Sequence, residues 1–217
     1  MSIPSEIQQL LLELPPSTKL VAVSKFHPAE AVLEAYAAGQ RIFGESRVQE
    51  LCEKQPILPD DIEWHFIGHL QTNKIRPILP FVTLIHGVDS ARLLHEIDKE
   101  AGKIGRVVSC LLQVHIAREE TKFGLLPEEC KALVSTKEQF PNIRICGLMG
   151  MASLTEDQTQ IRGEFTQLKS LFDELKLLDS TGDFNQLSMG MSDDYRLAVE
   201  CGSTLVRIGS RIFGHRN

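Results

Sequence analysis

Two groups of residues far apart in the chain carry chemistry that makes most sense together. Lys25 ends the apolar run Leu20-Val21-Ala22-Val23, and an ammonium at a strand tip is either solvated or put to use. Near the other end, the stretch from Leu205 to Gly214 reads as a strand carrying Arg207, a Gly209-Ser210 turn and a short helix start, a backbone cradle for a phosphate. An amine condenses with an aldehyde only when neutral, and at a pKa of about 10.4 roughly one lysine in two thousand is neutral at pH 7. A nearby guanidinium and an apolar lining both lower that pKa. The implied ligand is a phosphorylated carbonyl compound. Its aldehyde would lie within reach of Lys25, and its phosphate would take hydrogen bonds from the Gly209-Ser210 backbone and the hydroxyls of Ser188 and Ser210.

Each feature alone has a plainer reading. A strand-end lysine is usually solvated, and Gly-Ser turns are common. Arg207 is harder to dismiss, because an inward guanidinium in an apolar strand needs a partner, either a buried carboxylate or a cofactor. Lys74 and Lys122 are the rival lysines, and neither follows an apolar strand as directly as Lys25. His65 and His69 are spaced by four but sit at a strand end, so the zinc-binding HExxH pattern does not apply. They read as structural or pocket polar groups, and His115 is equally ambiguous. The Met149-Gly150-Met151 and Met189-Gly190-Met191 triplets read as core and pocket lining, with glycines leaving room for a planar ligand. Glu119 to Lys122 reads as a solvated loop.

The elements that must position these residues alternate between strand and helix. Strand-like runs fall at 20–25, 41–45, 64–68, 83–88, 107–115, 143–151, 185–191 and 204–210. Helical patterns follow Pro28, Ser90, Pro127 and Ser192, and the longest runs through Ile161, Phe165, Leu168, Leu171, Leu175 and Leu178. This alternation predicts an α/β fold, a (β/α)8 TIM-type barrel, in which function sits at the C-terminal ends of the strands. An amphipathic helix over Ile7, Leu10, Leu11 and Leu14, capped by Ser5 and stopped by Pro15-Pro16, is an extra N-terminal element. It is expected to fill the place left beside the last strand, which has only a few residues after it. An open doubly wound sheet is the alternative, but no GxGxxG follows the first strand. Lys25 shares strand parity with Val21 and Val23, and Arg207 with Leu205 and Gly209, so the two are expected to be neighbours across the barrel closure.

The 217 residues are 42% hydrophobic with no linker-like stretch, which predicts one domain over residues 1–217. A net charge of -6 without a basic run argues against nucleic acid or an anionic membrane as partner. The five cysteines are scattered and without CxxC spacing, as reduced structural thiols would be, and no metal site is expected. Glu6 and Glu13 interrupt what a signal peptide would need, so the protein is expected to be cytoplasmic, and it is read as a monomer.

These motifs together resemble a known family, the pyridoxal 5'-phosphate homeostasis proteins, which are similar to the cofactor-binding barrel of alanine racemase without its second domain. The resemblance runs through Val21 to Lys25, Phe43-Gly44-Glu45 with Val48-Gln49-Glu50, Trp64 to Ile78, Gly147-Leu148-Met149, Leu187 to Ser192, and Arg207 to Gly214. It implies pyridoxal 5'-phosphate as cofactor, Lys25 as the Schiff-base lysine, Ser188, Gly209 and Ser210 on the phosphate, and Arg207 facing the pyridine nitrogen. It also implies a role in intracellular cofactor homeostasis, with pyridoxal-phosphate-dependent apo-enzymes as recipients. The family commonly has Asn-Tyr where this chain has Ser46-Arg47, so an amide contact at position 46 is not expected.

Two functions then compete, a non-enzymatic binder and an amino-acid racemase. An arginine beside the pyridine nitrogen keeps it unprotonated and weakens the ring as an electron sink, which disfavours most carbanion chemistry but still permits racemisation. The resemblance implies that the racemase's opposing tyrosine comes from a second domain, and none is expected here, where the 217 residues read as one barrel. Tyr36 falls on an apolar helix face and Tyr195 begins another helix. The binder is therefore favoured. A Schiff-base aldolase acting on sugar phosphates would fit the lysine but not Arg207.

Overall fold

The structure is a computed structural model that describes residues 2–118 and 123–214. Eight parallel strands close into a barrel in sequence order: β1 (Lys19–Val23), β2 (Ile42–Glu45), β3 (Glu63–Phe66), β4 (Leu84–Val88), β5 (Val108–Gln113), β6 (Ile143–Met149), β7 (Gln186–Ser188) and β8 (Leu205–Ile208). The expected (β/α)8 architecture is present. The strands are shorter than the apolar runs that announce them, because the residues at the tips leave the ladder to form the loops of the upper face. Closure is made by β1 on β8, where Val21 registers with Arg207 and Ala22 with Ile208.

The period of two divides each strand between two cores. Val21, Ile42, Leu84, Leu111, Met149 and Leu205 fill the barrel interior. Their alternating neighbours, among them Leu20, Ala22, Phe43, Trp64 and Ile85, face outward and pack under the helices. The outer layer comprises α1 (Ile3–Glu13), α2 (Ala29–Ala37), α3 (Val48–Lys54), α4 (Ala91–Lys103), α5 (Pro127–Ser135), α6 (Gln158–Leu178), α7 (Tyr195–Glu200) and α8 (Ser210–Phe213). Between β3 and β4 the crossover contains a 3₁₀ turn at Thr72–Lys74 in place of a helix.

Two helix starts differ from the sequence reading. Ser2, not Ser5, caps α1, its side chain accepting from the Ser5 N–H, and Pro4 sits in the first turn where a missing N–H costs nothing. The segment after Ser192 is not yet helical: α7 begins at Tyr195 with Asp194 as cap residue, and the intervening loop belongs to the upper face.

Helix α1 packs between α2 and α8, as expected for an element filling the gap beside β8. Ile7 and Leu10 are fully buried there, each contributing about 1.5–3 kcal/mol. Its polar edge is fastened as well. Arg211 on α8 reaches Glu6 at 3.0 Å and Glu13 at 3.0 Å, and Glu13 also accepts from Tyr195 Oη and, at 3.1 Å, from Arg196 on α7. The Arg211 guanidinium, first among these partners, holds the Glu13 carboxyl well below the usual carboxylate range. The N-terminal helix is thereby tied to the short helix that follows Gly209.

Candidate ligand site at the strand tips

A cavity of about 540 Å³ opens at the C-terminal ends of β1 and β8, within the roughly 300–1,000 Å³ range of small-molecule sites. Lys25, Arg207, Gly209 and Ser210 all line it, with Ile67 and Met151 supplying apolar wall. Barrel closure has brought the two ends of the chain to one place.

Lys25 sits in a turn that is held from below. Phe26 has φ of +68°, the left-handed region that costs a residue with a side chain of order 1–3 kcal/mol. The Phe26 N–H donates to Glu50 Oε1 at 2.6 Å, and the Ser24 carbonyl accepts from Lys54 Nζ at 2.9 Å. Lys54 also donates to Glu45 and Glu50, both at 2.7 Å, and Ser24 Oγ donates to Glu45 at 2.7 Å. Lys54 and Glu45 are buried. Burial pushes the Glu45 carboxyl up even with the Lys54 ammonium in contact, and one of its oxygens, Oε2, has no partner among the described residues. The guanidinium of Arg47 covers the Phe26 ring at 4.5 Å, so this departure from the family's usual residue supports the same turn. Lys54 escaped the sequence reading. Its signal was Glu50 four residues earlier on one helix, beside a strand ending in Glu45.

Arg207 is 5% exposed, and burial pushes its guanidinium down to about 10, still protonated at neutral pH. Among the described residues no carboxylate lies within 4.0 Å of it. Nη1 donates to Ser188 Oγ at 2.6 Å and Nη2 to the Gly150 carbonyl at 3.1 Å. Below it the polar chain continues down the barrel axis: Ser188 Oγ meets His86 Nδ1 at 2.9 Å, and His86 Nε2 meets His65 Nδ1 at 3.0 Å. His86 has the inward parity of Leu84, a signal the sequence reading passed over. Both imidazoles are held neutral by burial, that of His65 pushed down to about 3.

Ser188 is therefore displaced from the role expected of it. It is fully buried beneath Arg207, does not line the cavity, and its hydroxyl is engaged on both sides. The hydroxyl that does reach the turn is Ser192 Oγ, which lines the cavity and accepts the Gly209 N–H at 3.3 Å. Gly209 meets a real steric limit, since a Cβ there would stand 3.1 Å from the Val23 carbonyl and 3.2 Å from Val23 Cβ. Ser210 opens α8, where the first N–H groups of a helix have no intrahelical partner.

The two Met-Gly-Met triplets divide differently from expectation. Met151 and Met191 line the cavity, while Met149 and Met189 are core. The glycines make room for helices and not for a ligand: a Cβ on Gly150 would lie 2.7 Å from Leu168 of α6, and one on Gly190 would lie 2.5 Å from Ala198 of α7. His69 pairs with Asp89 at 2.8 Å and does not line the cavity that holds Lys25. Lys74 and Ser46 line a separate surface hollow, and Lys122 with Glu119 to Thr121 lies outside the described residues. Neither tyrosine reaches the cavity: Tyr36 bonds Asp61 and Tyr195 bonds Glu13. Among the described residues no cluster of metal-ligating side chains occurs, and no helix is long and apolar enough to cross a membrane.

Comparison with known proteins agrees with this geometry. The family model described as alanine racemase, N-terminal domain, matches residues 3–217. A pyridoxal phosphate homeostasis protein of Aquifex aeolicus is 42% identical over 199 residues, covering 91% of this chain and 87% of its own. PipY of Synechococcus elongatus, solved with pyridoxal phosphate bound, superposes with a TM-score of 0.90 at 40% identity, covering 98% of this chain and all of its own. The alanine racemase of Bartonella henselae superposes with a TM-score of 0.76 at 17% identity, covering 98% of this chain but 58% of its own, a likeness of fold. With the family model matched over residues 3–217 and the Aquifex aeolicus relative 42% identical over most of both chains, the chain belongs to the alanine racemase N-terminal domain family and, within it, to the pyridoxal phosphate homeostasis proteins.

Proposed function

We propose that the chain binds pyridoxal 5'-phosphate in the strand-tip cavity and serves as a holder and donor of that cofactor in its homeostasis. The observation that carries this reading is the pairing in one cavity of Lys25 with a buried guanidinium that no carboxylate touches among the described residues, Asp194 acting on it only from beyond contact. A protein that buries Arg207 without a carboxylate in contact gains by having an electron-rich ligand there. The donor set fits the cofactor: a primary amine for its aldehyde, a guanidinium for its ring nitrogen, and a glycine turn with two serines for its phosphate.

When bound, the cofactor supplies an aldehyde that a neutral amine can capture as a Schiff base, and a ring that withdraws electrons. This chain's residues would hold it in distinct ways. Lys25 makes the covalent link, steadied by the Glu45–Lys54–Glu50 network under its turn. Ser210, Ser192 and the backbone from Gly209 donate to the phosphate, which at a helix start also meets favourable partial charge. Ser188 aims Arg207 and does not touch the phosphate. Arg207, cationic and hydrogen-bonded to a hydroxyl and a carbonyl with no carboxylate in contact, would leave the ring nitrogen unprotonated and hold back its electron withdrawal.

The alternative is a racemase-like enzyme, which the shared fold favours. Such an enzyme needs a proton-handling group on each face of the substrate carbon, and the tyrosines of this chain point elsewhere. The same reading takes residues 1–217 as one binding domain acting in the cytoplasm, with apo-enzymes as recipients. Borohydride reduction of the cofactor-loaded protein, followed by peptide mapping, should locate the adduct on Lys25, and an adduct on Lys74 or Lys122 would refute the assignment. Exchange of the α-hydrogen of L-alanine in deuterated water should not exceed the rate with free cofactor. Stereospecific exchange far above that rate would put the racemase first.

A further inference from the structure

The barrel has a second opening at the other end of its axis. A cavity of about 260 Å³ lies at the N-terminal ends of the strands, lined by Lys19, Glu63, His65, Thr83 and Ser109, with Ile42, Leu84 and Leu205 as its apolar wall. It is below the roughly 300–1,000 Å³ of ordinary ligand pockets, so it would suit only a very small molecule.

Its floor has a fixed polarity, which follows from the axial chain. Arg207 can only donate, so Ser188 Oγ accepts from it and must send its own proton elsewhere. The other partner of that hydroxyl is His86 Nδ1, which is thereby an acceptor, leaving the proton of His86 on Nε2. His86 Nε2–H then donates to His65 Nδ1, so neutral His65 carries its proton on Nε2. His65 is 4% exposed and lines the cavity, and its Nε2 has no partner among the described residues. An N–H donor without a protein partner among the described residues thus opens onto this cavity and is available to whatever occupies it.

The rim adds two charges. Lys19 begins β1 and Glu63 begins β3, and neither side chain has a hydrogen-bond or ion-pair partner among the described residues, including each other. An ammonium and an N–H donor call for a carboxylate. An unpaired carboxylate on the same rim calls for a cation and repels a second anionic group. We propose that this cavity is a binding site for a small zwitterion, a free α-amino acid with a short side chain, whose carboxylate lies between Lys19 and His65 and whose ammonium meets Glu63. The site is independent of what occupies the strand-tip cavity.

The test is a titration of the full-length, cofactor-free chain, labelled with 15N in its histidines, with L-alanine, acetate and inorganic phosphate as probes. Without cofactor an amino acid has no aldehyde to condense with at the other end. L-Alanine should move the His65 Nε2 resonance saturably. Lys19→Met and Glu63→Gln should each weaken that binding about tenfold or more while leaving the backbone spectrum otherwise intact, both positions being exposed. Acetate should bind more weakly than L-alanine to the wild type. Failure of His65 to respond up to tens of millimolar L-alanine would mean that the cavity holds only water, and would overturn the proposal. An unchanged affinity in Lys19→Met would do the same, and acetate or phosphate binding as tightly as L-alanine would overturn the zwitterion assignment.

Discussion

Replacing Lys54 by Met removes a buried ammonium that three acceptors share. Its Nζ serves Glu45 and Glu50 at 2.7 Å each and the Ser24 carbonyl at 2.9 Å. Breaking a buried pair from one side costs about 3–5 kcal/mol, because the remaining charge is stranded. Here the stranded group is Glu45, with a fully buried side chain and one oxygen already without a partner among the described residues. Met conserves length and fills the hole, so the loss is electrostatic and not a cavity effect.

That origin gives the loss a pH dependence of known sign. The Glu45 carboxyl is already raised above 4.5 by burial, and without Lys54 it rises further. A carboxyl raised in the folded state takes up a proton there before it does in the unfolded chain. The deficit of the variant relative to wild type is therefore full above the variant's folded Glu45 pKa and shrinks, by up to about 1.4 kcal/mol per unit, as pH falls to the wild type's own raised value, below which it is constant. Adding Glu45→Gln to Lys54→Met should recover most of the stability at neutral pH. The second readout is ligand affinity. Glu50 loses its anchor, the left-handed Phe26 loses its restraint, and relaxation of strain worth about 1–3 kcal/mol carries Lys25 off its aim, weakening pyridoxal phosphate binding about tenfold. Urea unfolding at several pH values and a cofactor titration measure both. A loss below about 1 kcal/mol, or an equal loss at every pH with unchanged affinity, would refute the reasoning.

Ser192→Ala with Ser210→Ala should weaken pyridoxal phosphate binding on the order of a hundredfold or more, at about 1.5–3 kcal/mol for each charge-assisted bond, while unphosphorylated pyridoxal is little affected. Equal loss for both ligands in parallel titrations would place those hydroxyls off the phosphate. Ser188→Ala should instead weaken both ligands alike, since it acts through Arg207. Acid sensitivity should come from the axial histidines: His65 titrates near 6.5 when unfolded and about 3 when folded, so the unfolded chain takes up the proton first. Stability is then lost as pH falls from 6.5 toward 3, at about 1.4 kcal/mol per unit, and His65→Gln should flatten that slope in denaturant titrations.

What the chain disclosed by itself follows the range of the physics involved. Alternation acts over a few residues, so the eight strands and their order could be read locally, while capping misplaced two helix starts, at Ser5 and Ser192. Parity placed Lys25 and Arg207 on one face, and closure of β1 on β8 brought them together. Depth could not be read the same way. Ser188 has inward parity, yet it registers with Leu205, two residues below Arg207, and strand-to-strand register depends on the shear of the whole barrel. The glycines of the Met-Gly-Met triplets failed for a similar reason: the helices they admit, α6 and α7, arrive from elsewhere in the chain. Ser192 lies in a loop, where no periodicity marks a side chain as pointing to the site, and the i,i+4 pairing of Lys54 with Glu50 on α3 reads equally well as a surface pair until the fold sets it beneath the Lys25 turn.

The supports under the two cationic residues differ in a way that suits their tasks. Beneath the Lys25 turn the chain builds a charged network, in which Lys54 is neutralised by Glu45 and Glu50 and the result is a rigid backbone. Beneath Arg207 it builds a neutral one, a serine hydroxyl and two uncharged imidazoles, which orients the guanidinium without cancelling its charge. A carboxylate in place of Ser188 would satisfy Arg207 better in the empty protein. It would also leave less positive potential for the cavity above and would raise the chance that a ring nitrogen there is protonated. A support made only of neutral donors and acceptors accepts a small cost in stability, visible in the lowered guanidinium pKa of about 10, and keeps the cation available to a ligand.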